Sequence, residues 1–155
     1  MAVLDLLELP AALPAYAPLV GLDLGEKTIG VAVSDATRIV ASPLELIRKV
    51  KFTDDAKALF KLMESRGAAG IVIGLPVNMD GTEGPRCQSS RAFARNILRL
   101  KDIPIAFWDE RMSSMAINRM LIDEADMNRA RRAEVVDKAA AGWILQGALD
   151  RLRNA

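Results

Sequence analysis

Two short apolar runs in the middle of the sequence constrain the fold most. Residues 70–74 read GIVIG and residues 103–108 read IPIAFW, and both are continuous rather than alternating. A short continuous run of this kind is typical of a strand that is covered on both faces of a parallel sheet. Helical patterns precede both runs, at residues 53–66 and 86–100. This part of the chain therefore predicts two right-handed β-α-β crossovers.

The segment before these crossovers has a different periodicity. Val20–Leu24 and Ile29–Ser34 alternate between two faces, and Ile39–Ala41 follows a short turn. Short turns imply antiparallel neighbours. Two further helices are expected near the end of the chain, at about 113–124 and about 131–152. The order predicts an α/β fold whose five-stranded mixed sheet, with three antiparallel strands and then two parallel ones, is flanked by helices.

The length of 155 residues predicts one domain. Prolines at positions 10, 14 and 18 interrupt the apolar N-terminus, so we expect residues 1–18 to be an extension lying against a domain of residues 19–155. No basic segment precedes the apolar start and no run is long enough to span a bilayer. The single cysteine fits a reducing compartment. We therefore expect a cytoplasmic protein without a membrane partner.

The sequence offers only a few types of side chain that could take part in catalysis. The chain has no histidine and one cysteine, against 20 acidic and 21 basic residues. A Ser-His-Asp or Cys-His centre and a zinc site built on Cys and His are thereby excluded. A net charge of +1 means that a nucleic-acid partner would need a local basic patch. Any catalysis must use carboxylates, lysines, hydroxyls, backbone amides or a hard metal ion such as Mg²⁺ or Mn²⁺, which prefers oxygen ligands.

Asp23 is a lone carboxylate on a strand face of small residues. One face of the predicted hairpin is aliphatic, and the other collects Gly21, Asp23, Gly25, Gly30, Ala32 and Ser34. The carboxylate either caps the turn that follows or serves a functional site. We favour the site, because a buried carboxylate without partners is costly and the glycines let a ligand or ion approach the backbone.

Two more acids occupy positions that local structure does not require. Asp109 and Glu110 follow the second buried strand, at the sheet edge where α/β proteins bind ligands. Asp109 can instead pair with Arg111 or cap the next helix, so Glu110 is the better metal candidate. Asp137 lies in the last helix at the edge of its apolar stripe, where it either faces the site or pairs in solvent with Lys138 or Arg132. Three converging carboxylates would suit two-metal phosphoryl chemistry.

Basic residues cluster near these acids. Segment 85–101 contains no acid, and three arginines recur there at four-residue intervals. Such a face is either solvated or binds phosphates, and an all-positive face is less common than a mixed one. We expect nucleic-acid contacts from Lys27, Arg91, Arg95, Arg99, Arg111, Arg131 and Arg132, with salt-dependent binding.

The longest internal loop follows the first buried strand. It contains Asn78, Asp80 and Gly81, and the Asp-Gly pair is a turn signal. The loop is either a simple turn or a lid over a substrate, since polar loops after buried strands often serve function.

Four sequence blocks together resemble the YqgF family of small bacterial proteins, described as pre-16S ribosomal RNA nucleases and as Holliday junction resolvases. The blocks are GLDLGEKTIGVAVSD, VIGLPVNMDGTEGP, FWDERMSS and VVDKAAAGWILQ, in order over residues 20–146. The resemblance implies an RNase H-like fold. It also implies that Asp23, Glu110 and Asp137 bind a divalent metal, Mg²⁺ or Mn²⁺, and carry out hydrolysis.

The same resemblance implies that Asp109 and Arg111 support the second motif. The full set of residues that we expect to support the site is Gly25, Asn78, Asp80, Gly81, Asp109, Ser113 and Lys138. The sequence departs from the family pattern at two places. The family usually has arginine after the lysine of the first block, and this chain has Thr28. The usual Ser-Thr after the acidic motif is here Ser113-Ser114. Neither change affects the three carboxylates, but the missing arginine removes one expected phosphate contact.

Three functions remain open from the sequence. The first is a nuclease that processes the 5′ end of precursor 16S rRNA, with the small ribosomal subunit as a partner. The second is a resolvase of four-way DNA junctions, which would require a dimer to cut two strands symmetrically. The third is a non-catalytic nucleic-acid-binding module. The oligomeric expectation is a monomer or a weak homodimer.

Overall fold

The computed structural model describes residues 3–112 and 129–155, and within residues 129–138 it describes the backbone alone. Five strands form one mixed sheet in these ranges: β1 (Leu19–Leu24), β2 (Thr28–Ser34), β3 (Ala41–Arg48), β4 (Gly70–Leu75) and β5 (Ile105–Asp109). Their order across the sheet is β3-β2-β1-β4-β5. The pairs β1–β2 and β2–β3 are antiparallel, and β1–β4 and β4–β5 are parallel. The predicted α/β class and the mixed five-stranded sheet, with three antiparallel strands and then two parallel ones, are confirmed.

In the described residues three α-helices flank the sheet: α1 (Phe52–Arg66), α2 (Pro85–Leu100) and α3 (Arg129–Arg153). Helix α1 ends at Gly67, whose φ of 67° is left-handed and suits glycine. Helix α2 begins with Pro85, which fits the first turn because its missing N–H would have no helical partner there. The helix expected at 113–124 lies outside the described residues.

The third strand is longer than expected. We predicted Ile39–Ala41, whereas β3 runs from Ala41 to Arg48 and contains Pro43. A proline cannot donate to a sheet ladder, but β3 is an edge strand and tolerates it. The register with β2 shifts beside Pro43, between Val31 and Ala32. Because β3 is longer than predicted, the basic residues that follow it lie at the edge of the sheet where β1 ends.

Each face of the sheet has its own apolar core. The aliphatic face of the hairpin, including Val20, Leu22 and Ile29, packs with residues of α1 and α2. The opposite face, including Ala32 and Val72, packs against α3. The alternation predicted for β1 and β2 therefore separates the two cores.

The segment before β1 packs against this structure. The backbone N–H of Leu4 donates to the carbonyl of Ile105 at 2.8 Å, beside the edge strand β5. Two short 3₁₀ turns follow, at Leu6–Glu8 and Pro10–Ala12. Leu9, between them, is fully buried in the core under α3. Across the residues that the structure describes, no helix combines the length and apolar character that a membrane span needs.

Candidate active site

Asp23 lies near the end of β1 on the face that α3 covers. It pairs with Gly30 of β2, and it is only 3% exposed. Gly21 lies two residues earlier on the same face, and a Cβ atom placed there would come within 2.6 Å of the Cβ of Leu145 in α3. Strand alternation therefore directs the Asp23 side chain toward the α3 side of the sheet.

Glu110 reaches the same face from the other side. It begins a 3₁₀ turn, Glu110–Met112, that follows β5 directly. Its Oε1 atom lies 2.9 Å from where a Cβ on Gly74 would stand, so its carboxylate extends over β4. The partner of Leu22 in β1 is Ile73, so the next residues along the two strands are Asp23 and Gly74. Neighbouring strands lie about 4.8 Å apart. The two carboxylates therefore meet at one edge of the sheet.

Helix α3 runs antiparallel to β3 and thus to β1. Gln146 accepts a hydrogen bond from the N–H of Ala41 at 2.8 Å, whereas Gly142, one turn earlier, lies against Pro43. Moving toward the start of α3 therefore means moving toward the ends of these strands. Ala141 lies over Gly21. Position 137 is one helical turn before Ala141, so its backbone lies at the level of Asp23. The side chains of Asp137, Lys138, Arg131 and Arg132 lie outside those described.

The donors that the structure brings together suit a hard cation. Asp23 and Glu110 supply carboxylate oxygens, which Mg²⁺ and Mn²⁺ prefer. Because Gly74 has no side chain, the Glu110 carboxylate and the Ile144 side chain can both lie over β4. Among the side chains described, no group of three acids or cysteines is close enough to hold a metal ion.

Asp109 and Arg111 form a closed pair beside this site. The Nε and Nη2 atoms of Arg111 donate to the Asp109 carboxylate at 3.1 and 2.7 Å, and the backbone N–H of Arg111 donates to it at 2.9 Å. The Arg111 guanidinium holds the pKa of Asp109 below its usual range. Asp109 is thus committed to Arg111, which leaves Glu110 as the acid that faces the sheet.

Arg111 also faces the loop of residues 78–84. Its Nη1 donates to the carbonyl of Met79 at 3.5 Å. Within this loop the N–H of Gly81 donates to the Asn78 carbonyl at 2.9 Å, and Gly81 has a φ of 90°, which favours glycine. Asp80 accepts from the hydroxyl of Thr82 at 2.6 Å, which lowers the pKa of Asp80. The loop is an internally bonded turn held against the acidic motif by Arg111.

Arg111→Lys is expected to loosen this loop. Lysine keeps the charge but cannot make the two-pronged contact with Asp109. The two side chains are 32% and 29% exposed, so water screens the pair and the effect is modest. We expect amide hydrogen exchange at Gly81 and Thr82 to become about two- to fivefold faster.

The control for this prediction is Arg153→Lys, which alters an exposed pair with Asp150 at the end of α3. It should leave exchange in the loop unchanged. Unchanged exchange in Arg111→Lys itself would show that the turn's own hydrogen bonds hold the loop without help from Arg111.

The predicted basic face of α2 is divided in the structure. Arg91 donates two hydrogen bonds of 2.7 Å to Glu83 and stands 5.1 Å from the centre of the Phe107 ring. Its guanidinium lowers the pKa of Glu83. Arg95 and Arg99 are exposed on the same helix, as is Lys27 in the β1–β2 turn. Arg91 thus ties α2 to the loop, while the others face solvent. Ser113 lies outside the described residues.

Two cations next to β1 were not among the residues predicted to bind. Lys49 donates to the carbonyl of Gly25 at 2.9 Å, and Arg86 donates to the carbonyl of Leu24 at 3.3 Å. The sequence feature that could have identified Lys49 is the basic run RKVK at 48–51. This run lies beside the β1–β2 turn because β3 extends to Arg48. The predicted strand ended at Ala41, so the run was not placed next to the turn.

Comparison with known proteins identifies relatives over nearly the whole chain. A family model described as RuvX, Holliday junction resolvase, matches residues 17–151. A protein of Phenylobacterium zucineum described as "Putative pre-16S rRNA nuclease" is 83% identical over 155 residues, covering 99% of both chains. A protein of Caulobacter vibrioides with the same description is 71% identical, again over 99% of both chains.

A solved structure shares the fold at low sequence identity. It is that of Thermus thermophilus RuvC in complex with a Holliday junction substrate, with a TM-score of 0.50 and 9% identity. The match covers 88% of this chain and 96% of that one. At this identity the likeness bears on the fold alone, which is the RNase H-like fold expected from the sequence.

Proposed function

The chain belongs to the RuvX (YqgF) family and is a nuclease, and from this premise we propose that its substrate is precursor 16S ribosomal RNA, cut at the 5′ end. The support for this substrate is the description carried by relatives that are 83% and 71% identical over their full lengths. The proposed place of action is the cytoplasm, where the small ribosomal subunit carrying the precursor would be the partner.

The observation that carries the proposed chemistry is the placement of Glu110 over Gly74. It brings one carboxylate beside a second, Asp23, on the α3 side of the sheet edge. We assign hydrolysis to these two residues and Asp137, which α3 carries at the level of Asp23. Asp109 and Arg111 position Glu110 by fixing the turn in which it lies. Lys138, next to Asp137, is assigned to the same site.

The proposed cofactor is a divalent cation, Mg²⁺ or Mn²⁺, held by the oxygens of the three carboxylates. Such an ion would supply Lewis-acid activation of water and of the phosphate. The carboxylates would hold and orient the ion, and the burial of Asp23 would keep the number of competing waters low. The sequence has no histidine, so the pH profile should show no imidazole-like titration near pH ~6.5.

The second candidate function is cleavage of four-way DNA junctions, which the description of the matching family favours. Symmetric cleavage of two strands calls for two active sites, and so for a dimer. A monomer or weak homodimer suits a ribonuclease acting on one strand. A strictly monomeric protein would therefore count against junction cleavage, whereas a homodimer would be compatible with both functions.

The test compares three substrates under one set of conditions. They are precursor 16S rRNA in the small subunit, the isolated 5′ precursor RNA and a four-way DNA junction, each with Mg²⁺, Mn²⁺ or chelator. We expect cleavage at the mature 5′ end with either metal and no cleavage with chelator. Faster cleavage of the junction by a dimer would favour the second candidate. Binding of precursor RNA without cleavage under any of these conditions would contradict both and point to a binding module.

A further inference from the structure

A cavity of about 650 Å³ lies next to the proposed active site, on the other face of the sheet. It opens between the β1–β2 turn, the end of β3 and the first turns of α2. Leu24 and Phe93, which line it, pack with the core under α1 and α2, whereas Asp23 faces α3. Consecutive residues of β1 therefore point into the cavity and into the active site.

Two cations in this cavity are fixed to the strand that carries Asp23. The Nζ atom of Lys49 donates to the carbonyl of Gly25 at 2.9 Å, and Nη2 of Arg86 donates to the carbonyl of Leu24 at 3.3 Å. These carbonyls belong to the two residues that follow Asp23. The bonds use one donor of each side chain, and lysine has three donors while arginine has five. The remaining donors are available to a ligand in the cavity.

These cations differ from the other basic residues near the site. Arg91 is neutralised by Glu83 and Arg111 by Asp109. Within the described part of the chain, neither Lys49 nor Arg86 forms an ion pair, and the acid lining the cavity is Glu26. The cavity therefore offers two positive charges held at a fixed distance along β1 from the proposed catalytic carboxylates.

We infer that Lys49 and Arg86 form a binding site for a phosphodiester group of the substrate strand, next to the group that is cleaved at Asp23. This inference rests on the proposed nuclease function. A strand leaving the α3 face would cross the sheet edge at Gly25 and enter the cavity. Its volume falls in the range of small-ligand pockets, which suits an unpaired strand rather than a duplex. The site thus selects a single-stranded flank and sets its register.

The first test measures binding of a fluorescein-labelled single-stranded RNA that spans the mature 5′ end of 16S rRNA, with chelator present to prevent cleavage. Lys49→Ala and Arg86→Ala should each raise the Kd at least about fivefold. Each should also reduce the slope of log K against log salt by about 0.7. Both side chains are exposed, so melting temperatures should stay at the wild-type value.

Matched controls are Lys61→Ala and Arg66→Ala. Both remove a positive charge from an exposed position on α1, away from the cavity. They should leave the Kd within about twofold of wild type, since charges beyond a Debye length of about 10 Å are screened. Equal weakening by the controls and the cavity variants would overturn the inference, because it would show a general effect of net charge.

The second test locates the phosphate. RNAs carrying one neutral methylphosphonate at successive positions are compared with wild type and with Arg86→Ala. At one or two adjacent positions the neutral linkage should weaken wild-type binding without weakening the variant further, which is the signature of a direct contact. Equal effects at every position would overturn the inference.

The phosphate site and the nuclease function on which it rests can be tested separately. If wild type binds and cuts the RNA while the cavity variants behave as wild type, the phosphate site is wrong and the nuclease function stands. If wild type neither binds nor cuts the RNA, the proposed function is wrong and the phosphate site is wrong with it.

Discussion

Replacing Asp23 with asparagine is expected to lower the cleavage rate by at least about a hundredfold, because a metal-binding carboxylate supports several kcal/mol of transition-state stabilisation. Asparagine has almost the same shape as aspartate, so the strand pairing with Gly30 should persist. The loss should therefore appear in kcat, and the concentration of Mg²⁺ needed for half-maximal rate should rise. The measurement is a single-turnover cleavage assay over a range of Mg²⁺ concentrations.

The matched control for this prediction is Asp54→Asn, which removes an exposed carboxylate from the first turn of α1. Its cleavage rate and metal dependence should equal those of wild type. Circular dichroism and melting curves would show whether each variant is folded. A folded Asp23→Asn protein with full activity would rule out Asp23 as a metal ligand and with it the assignment of the site.

Replacing Gly21 with alanine is expected to cause the largest loss of stability among single substitutions at the site. The new Cβ would lie 2.6 Å from the Cβ of Leu145 and 3.2 Å from the carbonyl oxygen of Ala141. Both atoms belong to the stem or backbone of α3, so no flexible end can move aside. Overpacking of this kind costs about 1–3 kcal/mol. In a domain of this size each kcal/mol lowers Tm by about 2–4 °C.

Activity should fall together with stability in Gly21→Ala, because the helix that moves carries Asp137. The matched control is Gly142→Ala, within the same helix. Its Cβ would make an ordinary contact at 3.6 Å with Pro43, and alanine favours a helix more than glycine does. That variant should be unchanged or stabilised by up to about 1 kcal/mol. A Gly21→Ala protein as stable as wild type would show that α3 is not seated closely on β1.

The fold was largely predictable because its signals are local. Alternation in β1 and β2, continuous apolar runs in β4 and β5 and the helical stripes between them each follow from a few neighbouring residues. Asp23 was singled out in the same way, by its place among glycines and small residues. The end of β3 was not predictable from its own residues, since Pro43 is tolerated only because the strand lies at the sheet edge.

The pairing of charges could not be predicted from the sequence. Arg91 shares a helix face with Arg95 and Arg99, and that pattern alone suggests a common role. In the structure Glu83 from the preceding loop neutralises Arg91 alone. Lys49, in contrast, was not predicted to bind and yet lies beside the site. Its contact with Gly25 depends on the pairing between β2 and β3. Such contacts arise from the tertiary arrangement, and the spacing of residues along one element does not contain them.

The placement of α3 sets an order of events during synthesis of the chain. This helix is made after all five strands, yet it packs on every one of them and supplies six of the twelve buried residues described in the core on its side of the sheet. Until it leaves the ribosome, the face that carries Ala32, Val72 and Asp23 lacks the cover that α3 gives it. A nascent chain therefore cannot complete this core before α3 has emerged. Because position 137 belongs to the same helix, the proposed active site also stays incomplete until α3 is in place.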